Sequence, residues 1–203
     1  YGNVENYSIG QHAYIASLDG KSLKCVTKGR GNHSVSFNKA GTMVIDTFQH
    51  LANAGEQWLR TVDGKDIRQT WSRPTPATSS LPQWHQIKAR DGFLLDVTYT
   101  LPKDFDKSKK YPMLLYCQGG PQSQVGQWFS FRWNFHLMAA QGYIVLAVNR
   151  RGLPGFGQSW NDQISRDWGG QAMQDLLSAT DEMFKEPYVD RDRTGAIGAS
   201  FGG

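Results

Sequence analysis

The second half of the sequence predicts a doubly wound α/β fold, preceded by an all-β region, and three observations carry this. Pro112 to Cys117 and Tyr143 to Val148 are apolar at nearly every position, as strands are when both faces of a parallel sheet are covered. Helical spacing over about Trp133 to Gln141 and Gly170 to Phe184 gives the order strand, helix, strand, helix, strand. Residues 1–80 keep a different rhythm, short alternating strands divided by polar turns.

Taken in order, strands are expected at Ala13 to Ala16, Ser34 to Phe37, Thr42 to Phe48 and Gln57 to Thr61. Between them lie the turn signals Leu18-Asp19-Gly20-Lys21, Asn38-Lys39-Ala40-Gly41 and Val62-Asp63-Gly64-Lys65. The Asp-Gly pairs predict hairpins closed by type I′ turns, in which both central residues take positive φ. The two Asp-Gly-Lys turns are spaced like successive blades of a β-propeller, a repeat of ~40–45 residues, although fewer than two blades would fit. Ser72 to Ser80 is a Pro/Ser/Thr-rich linker and sets the boundary between domains 1–80 and 81–203.

Beyond it, Trp84 to Lys88 and Phe93 to Thr100 form a hairpin around Asp91-Gly92. The strand from Pro112 follows, then the Trp133 helix with Gly142 as its C-terminal stop, then the strand from Tyr143. Asn149 to Gly157 is a Gly/Pro-rich loop that opens no immediate helix. The long helix places Ala172, Met173, Leu176, Leu177, Thr180 and Met183/Phe184 at core spacing, and Thr194 to Gly198 is a short buried strand.

Composition excludes several classes. The chain has 203 residues, 39% hydrophobic and 20% charged, enough for one or two domains with a sizeable core. Net charge is +4, but the basic residues are dispersed; the dense patch Lys107 to Lys110 reads as a solvated loop, so no nucleic-acid partner is expected. No stretch is long and apolar enough to span a membrane, and a leader upstream of Tyr1 stays open. Cys25 and Cys117 are too few for a disulfide framework, and Cys117 reads as a small buried hydrophobe. The histidines at 12, 33, 50, 85 and 136 form no i, i+4 pair, so neither metal nor cofactor is expected. Asn6-Tyr7-Ser8 and Asn32-His33-Ser34 match the glycosylation acceptor pattern, which is short enough to arise by chance.

Two motifs bear on chemistry. Gly198-Ala199-Ser200-Phe201-Gly202 matches G-x-S-x-G, the elbow that projects a nucleophilic serine from a tight strand-to-helix turn. A phosphate-binding or purely structural glycine turn is the alternative. A dinucleotide fingerprint fits neither here nor at Gly152 to Gly157, for want of a correctly placed third glycine or of a following helix. Gln118-Gly119-Gly120-Pro121 directly follows an apolar strand, where backbone N–H groups of Gly119 and Gly120, with that of Phe201, would form an oxyanion hole.

From about Leu101 to Gly203 the chain resembles the prolyl oligopeptidase family of serine peptidases, in its dipeptidyl-peptidase and acylaminoacyl-peptidase branch, and within it the bacterial dipeptidyl-peptidase 5-like enzymes. The matching stretches are LPKDFDKSKKYPMLLYCQGGPQSQ, GYIVLAVNRRGLPGFGQSW, DWGGQAMQDLLSATDEM and YVDRDRTGAIGASFGG, in family order. The resemblance implies the first half of an α/β-hydrolase sheet preceded by the end of a β-propeller. It implies an exopeptidase that releases dipeptides, or acylated N-terminal residues, from oligopeptides through an acyl-enzyme on Ser200. It further implies a periplasmic or otherwise exported location and is compatible with a homodimer. Gln118 stands where dipeptidyl peptidase IV relatives carry a tyrosine, which favours a backbone oxyanion donor. In this fold Asp and His follow the serine, so both are expected after residue 203 and His136 is read as a core or edge histidine. The 203 residues alone are therefore expected to be inactive and prone to aggregate. The alternative reading is a non-catalytic, peptidase-like interaction protein. Trp128, Phe129, Phe131 and Trp133 could line a pocket or bury a helix, and Arg150 and Arg151 could meet a ligand or pair with Asp162 or Asp167; neither group is given a site role.

Overall fold

A computed structural model describes residues 9–74 and 82–203. The acceptor match at Asn6 and the linker from Thr75 to Ser80 lie outside the described residues. Two compact units divide the chain near residue 76, and Gly126–Arg132 belong with the first although they follow the boundary in sequence.

The first unit is all β. Strands β1 (Tyr14–Ala16) and β2 (Leu23–Cys25) pair antiparallel. Strands β3 (Asn32–Phe37), β4 (Met43–His50), β5 (Asn53–Thr61) and β6 (Asp66–Ser72) form an antiparallel meander in chain order. Strand β6 is exposed along its whole length, so it carries no inside–outside alternation from which it could be read. The turns differ from the type I′ geometry expected of Asp-Gly. Among the described non-glycine residues only Arg166 and Ser200 have positive φ, whereas Gly20, Gly64 and Gly92 all do. Gly64 N donates to Thr61 O and Thr61 N to Lys65 O, each at 2.9 Å, closing a three-residue loop in which Asp63 sits in an ordinary turn and Gly64 alone turns left-handed. Loop length, set by strand register, chose the turn. Asn32 is 1% exposed, so the acceptor match there is buried in the folded chain.

The second unit contains the predicted α/β order. Strands β7 (Gln83–Lys88) and β8 (Leu94–Thr100) form the hairpin. They are followed by β9 (Tyr111–Cys117), α1 (Phe135–Ala140), β10 (Ile144–Val148), α2 (Gln158–Asp162), α3 (Gln171–Met183) and β11 (Val189–Gly198). The sheet runs β11-β9-β10-β8-β7, with β9, β10 and β11 parallel and β8 antiparallel to β10. Strand β10 is buried at every position. Ile144, Leu146 and Val148 pack in one cluster with Leu176, Ala179 and Met183 of α3, while Val145 and Ala147 pack in another with Phe135 of α1. Helices thus cover both faces, which is why the strand shows no alternation. Asn134 caps α1 by accepting from Leu137 N at 3.1 Å, and Gly142 at φ 89° ends it in the left-handed conformation.

Three expectations are corrected. Helix α2 begins directly after Gly157, so the Gly/Pro-rich loop does open a helix; it is five residues long with only Trp160 packed against the core, and therefore shows no apolar period. Strand β11 starts at Val189, shifts register between Asp190 and Thr194, and is largely exposed, because among the described strands it pairs only with β9 at the sheet margin. On α3, Met173 and Leu177 face outward, while Asp175 and Ser178 are buried.

Candidate active site

The end of β11 meets the end of β9 at backbone contact. Ala199 is extended, and Ser200 then takes φ 59° as the first residue of a single 3-10 turn, Ser200–Gly202. A non-glycine residue held there costs on the order of 1–3 kcal/mol and persists only where its surroundings fix it. The glycines around it show what does so. A Cβ on Gly198 would overlap the carbonyl of Gly202, and one on Gly202 would overlap the carbonyl of Cys117. A Cβ on Gly119 would lie 2.5 Å from the carbonyl oxygen of Ala199 and 3.8 Å from Ser200 Cβ. The Gln118–Pro121 loop therefore runs beside Ser200, and Gly120 bends it with φ 67°.

Ser200 is exposed and opens onto a cavity of about 520 Å³, whose walls include Phe201, Trp168, Ala172, Met173 and Leu176. The indole of Trp168 meets the Phe201 ring edge-on at 5.6 Å. Polar contacts hold the glycine loop from outside. Gln118 accepts from Tyr116 Oη at 2.7 Å and donates through Nε2 to Ser123 Oγ at 3.0 Å, so its side chain is occupied and it supplies no hydroxyl. Ser123 N donates to Gly120 O, and Asn149 exchanges two hydrogen bonds with the backbone of Val125.

Arg150 and Arg151 carry more than the sequence suggests. Arg150 is 1% exposed, and its guanidinium donates through Nη1 and Nη2 to Pro121 O at 3.3 Å and lies 4.3 Å from the centre of the Phe201 ring. Burial pulls it down to about 10, against the charge of Asp175, so it stays protonated at neutral pH. Arg151 does not pair with Asp162 or Asp167. It grips the fully buried Asp175 through Nε and Nη2, the latter at 2.6 Å, and reaches Asp91 at 2.5 Å. These hydrogen bonds, that to Asp175 first, raise the guanidinium above its ordinary value. A charged residue inside the apolar stripe of α3 was the signal for this pair. Burial pushes the Cys117 thiol up, which argues against a thiolate.

None of the five histidines lines the Ser200 cavity. His136 is buried on α1, in keeping with its reading as a core residue. His33 Nδ1 lies 2.9 Å from Asp46, a pairing that looks like a catalytic dyad, but both side chains are fully buried in the first unit and Arg60 binds the same carboxylate. Trp128, Phe129 and Phe131 fall in the segment grouped with the first unit, and Trp133 packs on Tyr116 at 5.3 Å. Among the described residues no cluster of His, Cys, Asp and Glu could hold a metal, and no helix is long and apolar enough to cross a membrane.

Residues 129–203 match the Prolyl oligopeptidase family. The chain is 65% identical over 117 residues to dipeptidyl-peptidase 5 of Porphyromonas gingivalis, covering 58% of this chain and 17% of that protein. It is 41% identical over 199 residues to dipeptidyl-peptidase 5 of Porphyromonas endodontalis, covering 95% of this chain and 28% of that one. The chain thus spans less than a third of the length of these relatives. Among solved structures, the crystal structure of Porphyromonas gingivalis dipeptidyl peptidase 4 matches with a TM-score of 0.85 at 25% identity, over 98% of this chain and 29% of the other. With a glycine-framed serine at the strand edge, the chain is similar in sequence and fold along most of its length to members of the prolyl oligopeptidase family, whose model matches residues 129–203.

Proposed function

We propose that the protein is a serine exopeptidase that releases dipeptides from peptide N-termini, with Ser200 as nucleophile. Ser200 Oγ attacks the carbonyl carbon of the scissile bond, and the oxygen of the tetrahedral intermediate accepts from Phe201 N–H and from the backbone of Gly119-Gly120. Collapse expels the amine of the remaining peptide and leaves the dipeptide esterified to Ser200; water then hydrolyses that ester. The base that takes the serine proton, and the carboxylate that orients it, follow the nucleophile in this fold, and we place them beyond residue 203. The second unit then supplies the first half of an α/β-hydrolase sheet, and the β3–β6 meander has the strand count and order of one propeller blade.

One observation carries this reading: Ser200 holds positive φ in a turn that only glycine can flank, with the Gly119 backbone against it. A structural glycine turn would have no need to strain a serine. A non-catalytic interaction protein is the poorer account for the same reason. The test is to treat the full-length protein that carries this chain with a fluorophosphonate probe and to assay dipeptidyl chromogenic substrates. Ser200 should be the labelled residue, and Ser200→Ala should lose labelling and turnover together. Turnover surviving in Ser200→Ala would refute the assignment.

A further inference from the structure

We infer that Arg150 is a positioning residue for the oxyanion site, holding its two halves in register through the Pro121 carbonyl and the Phe201 ring. The inference rests on the reading of Ser200 as nucleophile and adds a residue to it.

The two donors come from segments far apart in sequence. The Gly119-Gly120 backbone has no side chain to stiffen it, and Gly120 occupies a conformation glycine enters and leaves freely. Phe201 sits in a one-turn 3-10 segment directly after the strained serine. Arg150 touches both. Its Nη1 and Nη2 fork closes on the carbonyl of Pro121, the last residue of the glycine loop, and the guanidinium lies over the ring of the residue whose N–H is the second donor. A third hydrogen bond, Nη1 to Arg151 O at 3.2 Å, fixes the fork, and the side chain has almost no exposure to relax into.

The choice of arginine is informative. Its hydrogen bonds go to two backbone carbonyls and not to a carboxylate. Burying a guanidinium on carbonyls and an aromatic face is a costly way to fill space, since an apolar side chain would pack there without desolvating a charge. A planar fork that binds in its plane and stacks on its face does what neither Lys nor Met can do. The carbonyl and the ring it joins belong to the two segments that must be aligned for the developing oxyanion.

The test compares Arg150→Met and Arg150→Lys with wild type and Ser200→Ala in the full-length protein. Readouts are kcat and KM on a dipeptidyl chromogenic substrate, affinity for a dipeptidyl boronic acid, whose adduct with the serine is tetrahedral, and inhibition by the product dipeptide. For Arg150→Met, kcat should fall about 10- to 100-fold and boronate affinity by a similar factor, the scale of a donor displaced by about 1 Å. KM and product inhibition should stay within about 3-fold, because a mispositioned oxyanion site is felt in the transition state and not in the ground state. Arg150→Lys, which keeps the charge but not the plane, should recover only part of kcat. Should Arg150→Met fail to fold, Arg150→Lys carries the same comparison.

Wild-type kcat in a folded Arg150→Met or Arg150→Lys protein would overturn the inference. So would equal losses in product binding and kcat alongside a lowered melting temperature, the mark of a merely structural role. If Ser200→Ala is inactive while the Arg150 variants match wild type, this inference alone fails; if Ser200→Ala is active, the proposed function itself fails.

Discussion

Replacing Asp175 by alanine removes a carboxylate that has no exposure and five hydrogen-bond contacts. Arg151 reaches it from its backbone N at 2.7 Å, from Nε to both oxygens and from Nη2, and Gln171 Nε2 adds a contact at 3.1 Å. The loss leaves a buried guanidinium with one remaining carboxylate, Asp91, which is partly in water, and the face of Phe93 at 4.7 Å. Breaking a buried ion pair from one side costs about 3–5 kcal/mol, and the surviving partners put Asp175→Ala near the lower end, at about 3. For a unit of this size that corresponds to a drop in melting temperature of about 6–12 °C. The pair joins α3 to the loop after β10 and, through Asp91, to the β7–β8 turn, so the loss should appear in the unfolding of the second unit.

The assay is urea unfolding of the full-length protein, followed by fluorescence, with the double variant Asp175→Ala, Arg151→Met alongside. Removing both charges takes away the unpaired guanidinium that makes the single variant costly, so the double variant should regain at least half of the lost stability. A single variant within about 1 kcal/mol of wild type would refute the reasoning, as would a double variant no more stable than the single.

Two further outcomes follow from the same geometry. Gly198→Ala should lower kcat/KM by about 100-fold or more, because its Cβ would strike the Gly202 carbonyl and open the turn that holds Ser200. Gly195→Ala, whose Cβ would meet only Leu114 at 3.9 Å, should stay within about 3-fold, and steady-state kinetics on both separates them. Asp91 is held below the ordinary carboxylate value chiefly by its hydrogen bond from Arg151. Its contribution to stability is therefore complete above the unfolded value of about 4 and is lost as pH falls through the lower folded value. Unfolding measured from about pH 6 downward should show an acid slope that is shallower in Asp91→Asn, and equal slopes would count against the contact.

The sequence made legible what one segment determines alone. Strand β10 could be read because both of its faces are covered, which leaves an unbroken apolar run. The tight turn at Ser200 could be read because its glycines answer a local steric demand. Strand β11 misled because Ala196 and Ile197 look like core residues while the strand lies at the sheet margin. The Asp-Gly turns misled because the dipeptide announces a left-handed glycine but not the loop length, which register decides. The partners of Arg150 and Arg151 were invisible for a plainer reason. Pro121, Phe201, Asp91 and Asp175 sit on four different segments, and only the sheet order brings them together.

That convergence explains how the serine can be strained at all. A residue at positive φ relaxes unless its neighbours allow no other arrangement. Strand β10 lies at the centre of the sheet, and the three residues after it point to three different neighbours. Asn149 holds Val125, Arg150 holds Pro121 and Phe201, and Arg151 holds α3 and the β7–β8 turn. The loop after β9 and the turn after β11 are thereby tied to one rigid strand end instead of only to each other. Strain at Ser200 could then be relieved only by breaking contacts that are buried and mutually dependent. A variant that frees the Arg150 fork should accordingly disturb the serine turn and the glycine loop together, and a change confined to one of them would contradict this account.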